Sequence, residues 1–258
     1  MKLTNRTILI TGGSDGIGLA LAVRFAELGN EVIVTGRRQA LLDKVKQRHP
    51  RIHAVKSDVA DPEQITALAR HMKENFPALD VLINNAGISR YRNVATAAPD
   101  LLALMDEMNI NVGGVIRMTS AFIELLKANR GTLINVSSAL AFVPLPCLPI
   151  YCATKAAIHS YTLSLRFQLE GTGVEVVEIM PPAVRTEMTA DLPDGAGISL
   201  ISTDKLVKLT VAALEKGILE IHPGQAAQLA FMRRVAPNFI NRQLWKAAKP
   251  FVPAAADC

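Results

Sequence analysis

Cysteine is scarce in this 258-residue sequence, aromatic residues are few and no apolar run is long, and each shortage closes off a class of function. Cys147, Cys152 and Cys258 are odd in number and match no metal-ligand spacing, so neither a disulfide scaffold nor a zinc site is expected. His49, His53, His71, His159 and His222 show no metal spacing either and have no carboxylate cluster beside them in sequence. They are read as surface or structural, with no metal. Phe, Trp and Tyr make up only 5% of the residues, and the net charge of +5 comes without a Lys/Arg block, which excludes nucleic acid as a partner. That basic balance would suit an anionic ligand, although a solvated surface is the plainer reading. No stretch of about 18 apolar residues exists, so no transmembrane segment is expected. The longest apolar stretch, 139–150, holds Pro144, Pro146 and Pro149 and is read as a loop. Residues 1–6 run straight into an apolar strand, leaving no room for a signal peptide. The expectation is a soluble, reduced, cytoplasmic protein.

What is present is an alternation. Residues 7–11, 31–35, 52–57, 81–84, 132–137 and 174–180 are short runs rich in Val and Ile, nearly continuous in apolar character. Parallel strands buried on both faces look like this. Between them lie amphipathic stretches such as 17–28, 39–48, 62–75 and 153–169. The pattern predicts an α/β fold: a single-domain, Rossmann-type, doubly wound parallel sheet with helices on both faces. About residues 5–190 would form the core, and about 185–258 a substrate lid and C-terminal segment. Past Val184 the pattern turns irregular, with loop chemistry at 192–197 flanked by helical pieces.

The first strand ends in Thr11-Gly12-Gly13-Ser14-Asp15-Gly16-Ile17-Gly18. A strand, a glycine turn and then a helix can cradle a pyrophosphate: glycines let the backbone approach, and the helix N-terminus offers N–H groups and positive dipole. The spacing is Gly-x-x-x-Gly-x-Gly rather than the Gly-x-Gly-x-x-Gly of ordinary Rossmann dehydrogenases. With threonine in front it resembles the short-chain dehydrogenase/reductase family. The resemblance continues through Asp58-Val59, Asn84-Asn85-Ala86-Gly87, Asn111, Ser138, Tyr151 and Lys155, in family order. It implies a hydride-transfer enzyme with Asn111, Ser138, Tyr151 and Lys155 as the catalytic set. It also implies cofactor contacts at Gly12, Ser14, Asp15, Gly16, Ile17, Gly18, Asp58, Val59, Asn85, Ala86, Gly87, Tyr151 and Lys155. Asp58 would accept from the adenine amino group, and Asn111 would kink its helix and hold a water that relays protons to the lysine.

The second strand speaks to the choice of nicotinamide. An acid at its end would select NAD(H) through the ribose 2′-hydroxyl. Here Val34-Thr35-Gly36-Arg37-Arg38 ends in arginine, which can pair with a 2′-phosphate, so NADP(H) is expected with NAD(H) as the alternative. Arg37 is favoured for that contact; Arg38 divides evenly between cofactor and solvated helix start. Asp15 argues the other way, since many NADP-preferring relatives carry a basic residue there.

Tyr151 and Lys155 stand four residues apart, on one face of a helix. A free phenol has a pKa of about 10, and lowering it by about 3 units takes roughly 4 kcal/mol of phenolate stabilisation. A nearby lysine and the positive ring of an oxidised nicotinamide could supply much of it. Ser138, at a strand end, can donate to the substrate oxygen as charge develops; Ser137 should point elsewhere by strand alternation. After the sixth strand the family usually has Pro-Gly, where this chain has Pro181-Pro182-Ala183-Val184-Arg185-Thr186. Pro181, Val184 and Thr186 are expected at the nicotinamide, with the second proline stiffening the turn. The substrate wall is expected from Ser89, Tyr91, 139–148 and 182–188, with a lid at 191–200. Nearly all of this is apolar apart from Arg90, Arg92 and Arg185. An uncharged, moderately hydrophobic carbonyl or secondary alcohol fits. Two competing readings are an NAD-dependent alcohol oxidoreductase and a non-enzymatic dinucleotide sensor; a sensor has no need of Tyr151 and Lys155. A homodimer or homotetramer through 111–126 and 153–169 is expected. For 226–249, packing on the domain or on another subunit is preferred over attachment to a membrane surface.

Overall fold

The computed structural model describes residues 2–94, 101–190 and 199–249. Seven strands, β1 (Thr7–Thr11), β2 (Glu31–Gly36), β3 (Ile52–Lys56), β4 (Leu79–Asn84), β5 (Thr132–Val136), β6 (Glu175–Ile179) and β7 (Glu220–Ile221), form one sheet in the order β3-β2-β1-β4-β5-β6-β7. Every pairing is parallel. The alternation of side chains serves two cores. Ile8 and Ile10 face Leu21 and Phe25 of α1 (Gly16–Glu27), Leu42 of α2 (Gln39–Arg48) and Val211 of α8 (Thr203–Glu215). Leu9 and Leu82 face Met72 of α3 (Pro62–Asn75), Phe122 of α6 (Gly114–Ala128) and Leu165 of α7 (Pro149–Gln168). This is the doubly wound architecture expected from sequence.

Between α3 and α6 lie two short helices, α4 (Leu101–Leu104) and α5 (Asp106–Met108), and a π-helical turn at Asn109–Gly113. The last described helices form a hairpin, α9 (Gln225–Val235) and α10 (Pro237–Ala248). Two features differ from expectation. A seventh strand, β7, is not among those expected; at two residues it is too short for a sequence pattern. Helix α7 begins at Pro149, because proline at the first helical position loses no hydrogen bond. Tyr151 is therefore already inside the helix. No helix among the described residues is long and apolar enough to cross a membrane.

A buried polar ladder locks α6 and α7 onto the sheet. Asn84 Nδ2 donates to Asn135 Oδ1 at 3.0 Å and to Thr119 Oγ1 on α6 at 3.3 Å. Asn135 Nδ2 donates to Thr162 Oγ1 on α7 at 2.9 Å. Such groups are costly inside a core unless paired. Here the pairing sets the azimuth of the helix that carries Tyr151 and Lys155. Strand order reverses direction at β1, between β2 and β4, and the crevice beyond the strand ends at such a switch point is where ligands gather.

Candidate functional site

The loop after β1 is clamped to the loop after β4. Thr11 Oγ1 accepts from the backbone N–H groups of Asn85 and Ala86 at 3.0 and 3.1 Å, and Asn85 Nδ2 donates back to the carbonyls of Thr11 and Gly12. Gly12 has φ +64°, and a Cβ there would lie 2.9 Å from Ala86 Cα; a Cβ at Gly18 would lie 2.4 Å from the Gly12 carbonyl oxygen. Neither position tolerates a side chain. Gly18 thus packs α1 onto the loop, whereas Gly12, Ser14, Asp15, Gly16 and Ile17 line a cleft of about 580 Å³. Asp15 caps α1 by accepting from Gly16 N–H at 2.7 Å, and it lies 3.6 Å from Arg38.

Arg37, Arg38, Asp58 and Val59 continue that cleft, followed by Asn85, Ala86 and Gly87. Arg38 Nη1 makes two hydrogen bonds to the carboxylate of Glu187, so this arginine bridges two acids. Arg37 is 3.8 Å from Asp58, whose other carboxylate oxygen accepts from Ala60 N–H. At the far side Pro181, Val184 and Thr186 line the cleft; the Pro181 carbonyl accepts from Ala139 N–H at 2.9 Å. A Cβ at Gly16 would lie 3.4 Å from Thr186 Cγ2, which puts Thr186 against the glycine loop.

Ser138, Tyr151 and Lys155 meet at the end of β5 and line the same cleft. Ser138 acts on the phenol to lower its pKa, and its Oγ accepts from Leu140 N–H at 3.1 Å. The Lys155 ammonium sits 5.6 Å from the Tyr151 ring centroid and donates to the Val136 carbonyl at 2.9 Å. Burial dominates both groups. It pushes the Tyr151 phenol up to about 12, against the lowering from Ser138. It pushes Lys155 down to about 8, against the opposing field of Glu178. Protein groups alone therefore leave the phenol protonated at neutral pH, as a free phenol is. Asn111 lies behind the cleft in the π-helical turn. Its Oδ1 accepts from Ile88 N–H at 2.8 Å, and its Nδ2 donates to the Ile88 carbonyl and to Thr154 Oγ1 at 2.9 and 3.0 Å.

Beneath the lysine lies a network that sequence reasoning missed. Glu178 is fully buried on β6. It accepts from Ser137 Oγ and pairs with His159 Nδ1 at 2.9 Å. His159 stands one helical turn beyond Lys155, and Ser137 points away from Ser138 as alternation requires. A glutamate inside Val-Val-Glu-Ile-Met gives no signal of its partner before the fold is known. Also unforeseen are Gln225, Leu229 and Leu244, by which the C-terminal hairpin closes the cleft.

Comparison with known proteins follows the same lines. The family model for short chain dehydrogenases matches residues 6–197. The chain belongs to the short-chain dehydrogenase family. It is 43% identical over 224 residues to an uncharacterized oxidoreductase, DltE, of Bacillus subtilis, covering 86% of this chain and 89% of that one. It is 32% identical over 210 residues to a 3alpha-hydroxysteroid dehydrogenase of Mediterraneibacter gnavus, covering 79% and 83%. A crystal structure of a short chain dehydrogenase from Burkholderia cenocepacia in complex with NADP superposes with TM-score 0.83 at 30% identity, over 95% of this chain and 99% of that one.

On the substrate side of this short-chain dehydrogenase the three arginines lie away from the cleft. Arg90 and Arg92 do not line the cleft: Arg90 binds the Ala103 carbonyl and Asp106, and Arg92 binds the Ala103 carbonyl beside buried Glu107. Arg185 is exposed outside it. Of the expected lid, residues 191–198 lie outside the described residues, and Ser199 lines the cleft.

The Glu178–His159 pair yields a stability prediction. The hydrogen bond to Glu178 raises His159 above its usual 6.5, with Glu220 helping and Arg166 and burial opposing; His222, lowered by burial, lies nearby. A raised pKa in the folded state adds stability that is complete below the unfolded value and fades as pH climbs through the folded one. A charge-assisted bond of this kind is worth about 1.5–3 kcal/mol. At this chain length that is several degrees of melting temperature. His159→Gln should melt several degrees below wild type at pH about 6, with the gap narrowing by pH about 9. Melting curves across that range check it; a pH-independent gap would dismiss the ionised pair as its source.

Proposed function

We propose that this short-chain dehydrogenase interconverts a carbonyl and a secondary alcohol on a small, uncharged, moderately hydrophobic molecule, using NADP(H) and Tyr151 as acid/base. The observation that carries the reading is the convergence of Ser138, Tyr151 and Lys155 on the cleft that also holds the glycine loop. The residues present suit a dinucleotide: Gly12 and Gly16 line the cleft with backbone at φ +64° and +55°, a region that favours glycine, and α1 turns its N-terminus to the same space. Bound there, the nicotinamide supplies or accepts the hydride.

The chain's own groups do the rest. Ser138 donates to the substrate oxygen and holds it beside the phenol. Tyr151, a phenol that carries its proton at neutral pH, gives it to that oxygen in the reductive direction. Lys155, held by the Val136 carbonyl, places positive charge near the phenol and stabilises the phenolate left when the proton departs. Asn111 fixes Ile88, and with it the approach past Gly87. Leu140, Leu145, Leu148, Met188, Leu229 and Leu244 make the substrate side apolar, with Gln225 as a polar group among them. The hydroxysteroid dehydrogenase among the relatives is consistent with an apolar alcohol.

Arg37 supports NADP(H): it is half-exposed at the end of β2, where no acid stands, and the Burkholderia cenocepacia relative was crystallised with NADP. Asp58 beside Arg37 and Asp15 beside Arg38 favour NAD(H) as the second reading. Exposed Ile116 on α6 and Phe167 on α7 support assembly into a homodimer or homotetramer through those helices.

Tyr151→Phe should lower turnover by about 10²–10⁴-fold, the usual scale of acid–base catalysis, while NADPH binding stays near wild type. Steady-state rates on a ketone panel, with NADPH binding followed by fluorescence, separate the two; full turnover in that variant removes Tyr151 from its role. For the cofactor, wild type should prefer NADPH. Arg37→Asp should shift the NADPH/NADH ratio of kcat/KM toward NADH by about ten- to a hundredfold, the equivalent of one charge-assisted phosphate contact. An unchanged ratio would move the 2′-phosphate contact away from Arg37, and a wild-type preference for NADH would favour the second reading.

A further inference from the structure

The net charge of this chain is carried by one element. Of 28 Lys and Arg, five fall within residues 225–249, at Arg233, Arg234, Arg242, Lys246 and Lys249; of 23 Asp and Glu, none does. The remaining residues hold 23 of each sign, so the whole formal charge of +5 belongs to residues 225–249, the α9–α10 hairpin and the lysine that caps it.

The same hairpin exposes large apolar side chains. Phe231 is 63% exposed, Val235 59%, Phe239 55% and Trp245 44%. In α9 only Ala226 is buried, and in α10 only Ala248. The inner face, by contrast, is engaged: Leu244 packs with Leu145, Leu148 and Cys152, and Leu229 lines the cleft. Arg233 fastens the hairpin to the Phe142 carbonyl through Nε. Arg234, Arg242, Lys246 and Lys249 are exposed and form no ion pair with an acid among the described residues.

We propose that the outer face of the α9–α10 hairpin docks on an anionic lipid bilayer surface. Aromatic and aliphatic side chains at the level of the headgroups, flanked by cations that reach lipid phosphates, make a surface-seated helix pair. Long Lys and Arg stems let the charge stay in water while their methylenes lie on the acyl boundary. Trp245, with an apolar body and one N–H donor, suits that boundary. A second copy of this chain is the poorer occupant, since a two-fold contact through this face would set five cations against five. The docking and its test are independent of the chemistry in the cleft, because lipid association is read without turnover.

The test is co-sedimentation of the full chain with vesicles at low salt, of phosphatidylcholine alone and of phosphatidylcholine with about 30% phosphatidylglycerol. Wild type should pellet with the anionic vesicles at least tenfold more strongly than with the neutral ones, and lose most of that in about 0.5 M NaCl. Arg234→Glu/Arg242→Glu should lose the anionic preference. Phe231→Ser/Trp245→Ser should weaken binding while keeping it salt-sensitive. If the apolar double variant melts early, Phe239→Ser serves the same arm. Failure of wild type to pellet with anionic vesicles overturns the proposal, as does pelleting that both variants share. Sedimentation velocity gives the other overturning result: a dimer that Phe231→Ser/Trp245→Ser makes monomeric, with no lipid association in either form.

Discussion

A lysine ammonium sits almost wholly out of water at the end of β5, and the site is organised around keeping it there. Removing such a charge from water costs several kcal/mol even after relaxation, so it must be met by oriented groups. Two are present. The Val136 carbonyl accepts from Lys155 at 2.9 Å, and buried Glu178 opposes the loss of its proton. Glu178 in turn needs donors, which Ser137 and His159 supply. Each solution to one buried charge therefore fixes the next residue. The chain of requirements ends with α7 held against β5 and β6 in one rotation, the rotation that turns Tyr151 toward Ser138.

The parallel sheet makes that arrangement available. At its C-terminal edge the ladder runs out, and backbone groups become free to bind side chains or ligands. Val136 is the last residue of β5, so its carbonyl can take the lysine; Ser137 N–H still reaches Ile179. The same edge releases Thr11 from β1, whose hydroxyl gathers two N–H groups from the loop after β4. The glycine loop is thus built onto a hydrogen-bonded clamp rather than left as a flexible turn. Asn111 performs the equivalent task opposite, tying Ile88 through both its N–H and its carbonyl.

How much of this could be read beforehand depended on whether the signal was local. Continuous Val/Ile runs announced β1 to β6 because burial on both faces leaves a compositional mark. The two-residue β7 leaves none. Pro149 read as a helix breaker when its place at the first turn made it a helix starter. The positions of Gly12, Ser138, Tyr151 and Lys155 were legible through order and spacing. Their energetics were not: the height of the Tyr151 pKa and the depression of Lys155 follow from burial that only the fold creates. Glu178 and His159 are nineteen residues apart and meet because β6 lies beneath α7, a relation no spacing rule contains. Leu229 and Leu244 were equally silent, since apolar residues on a C-terminal helix look alike whether they face a cleft or a lipid.

Charge shows best how a bulk property misleads until it is placed. A basic balance invites the thought of a phosphate-rich cofactor, yet the cofactor side of the cleft is not basic. Arg37 and Arg38 there stand among Asp15, Asp58 and Glu187, and each arginine lies within 4 Å of a carboxylate. Bulk attraction therefore cannot select a 2′-phosphate. Discrimination has to come from the position of a single guanidinium and from whether its neighbouring carboxylate yields it. The surplus of positive charge lies instead on the hairpin that walls the apolar end of the same cleft, where its reach is limited by screening to about a Debye length, roughly 8–10 Å in ordinary buffer. Two electrostatic tasks are thus separated along one groove: a neutral, geometrically exacting pocket for one ligand, and an unbalanced outer face at the wall through which apolar surface is presented.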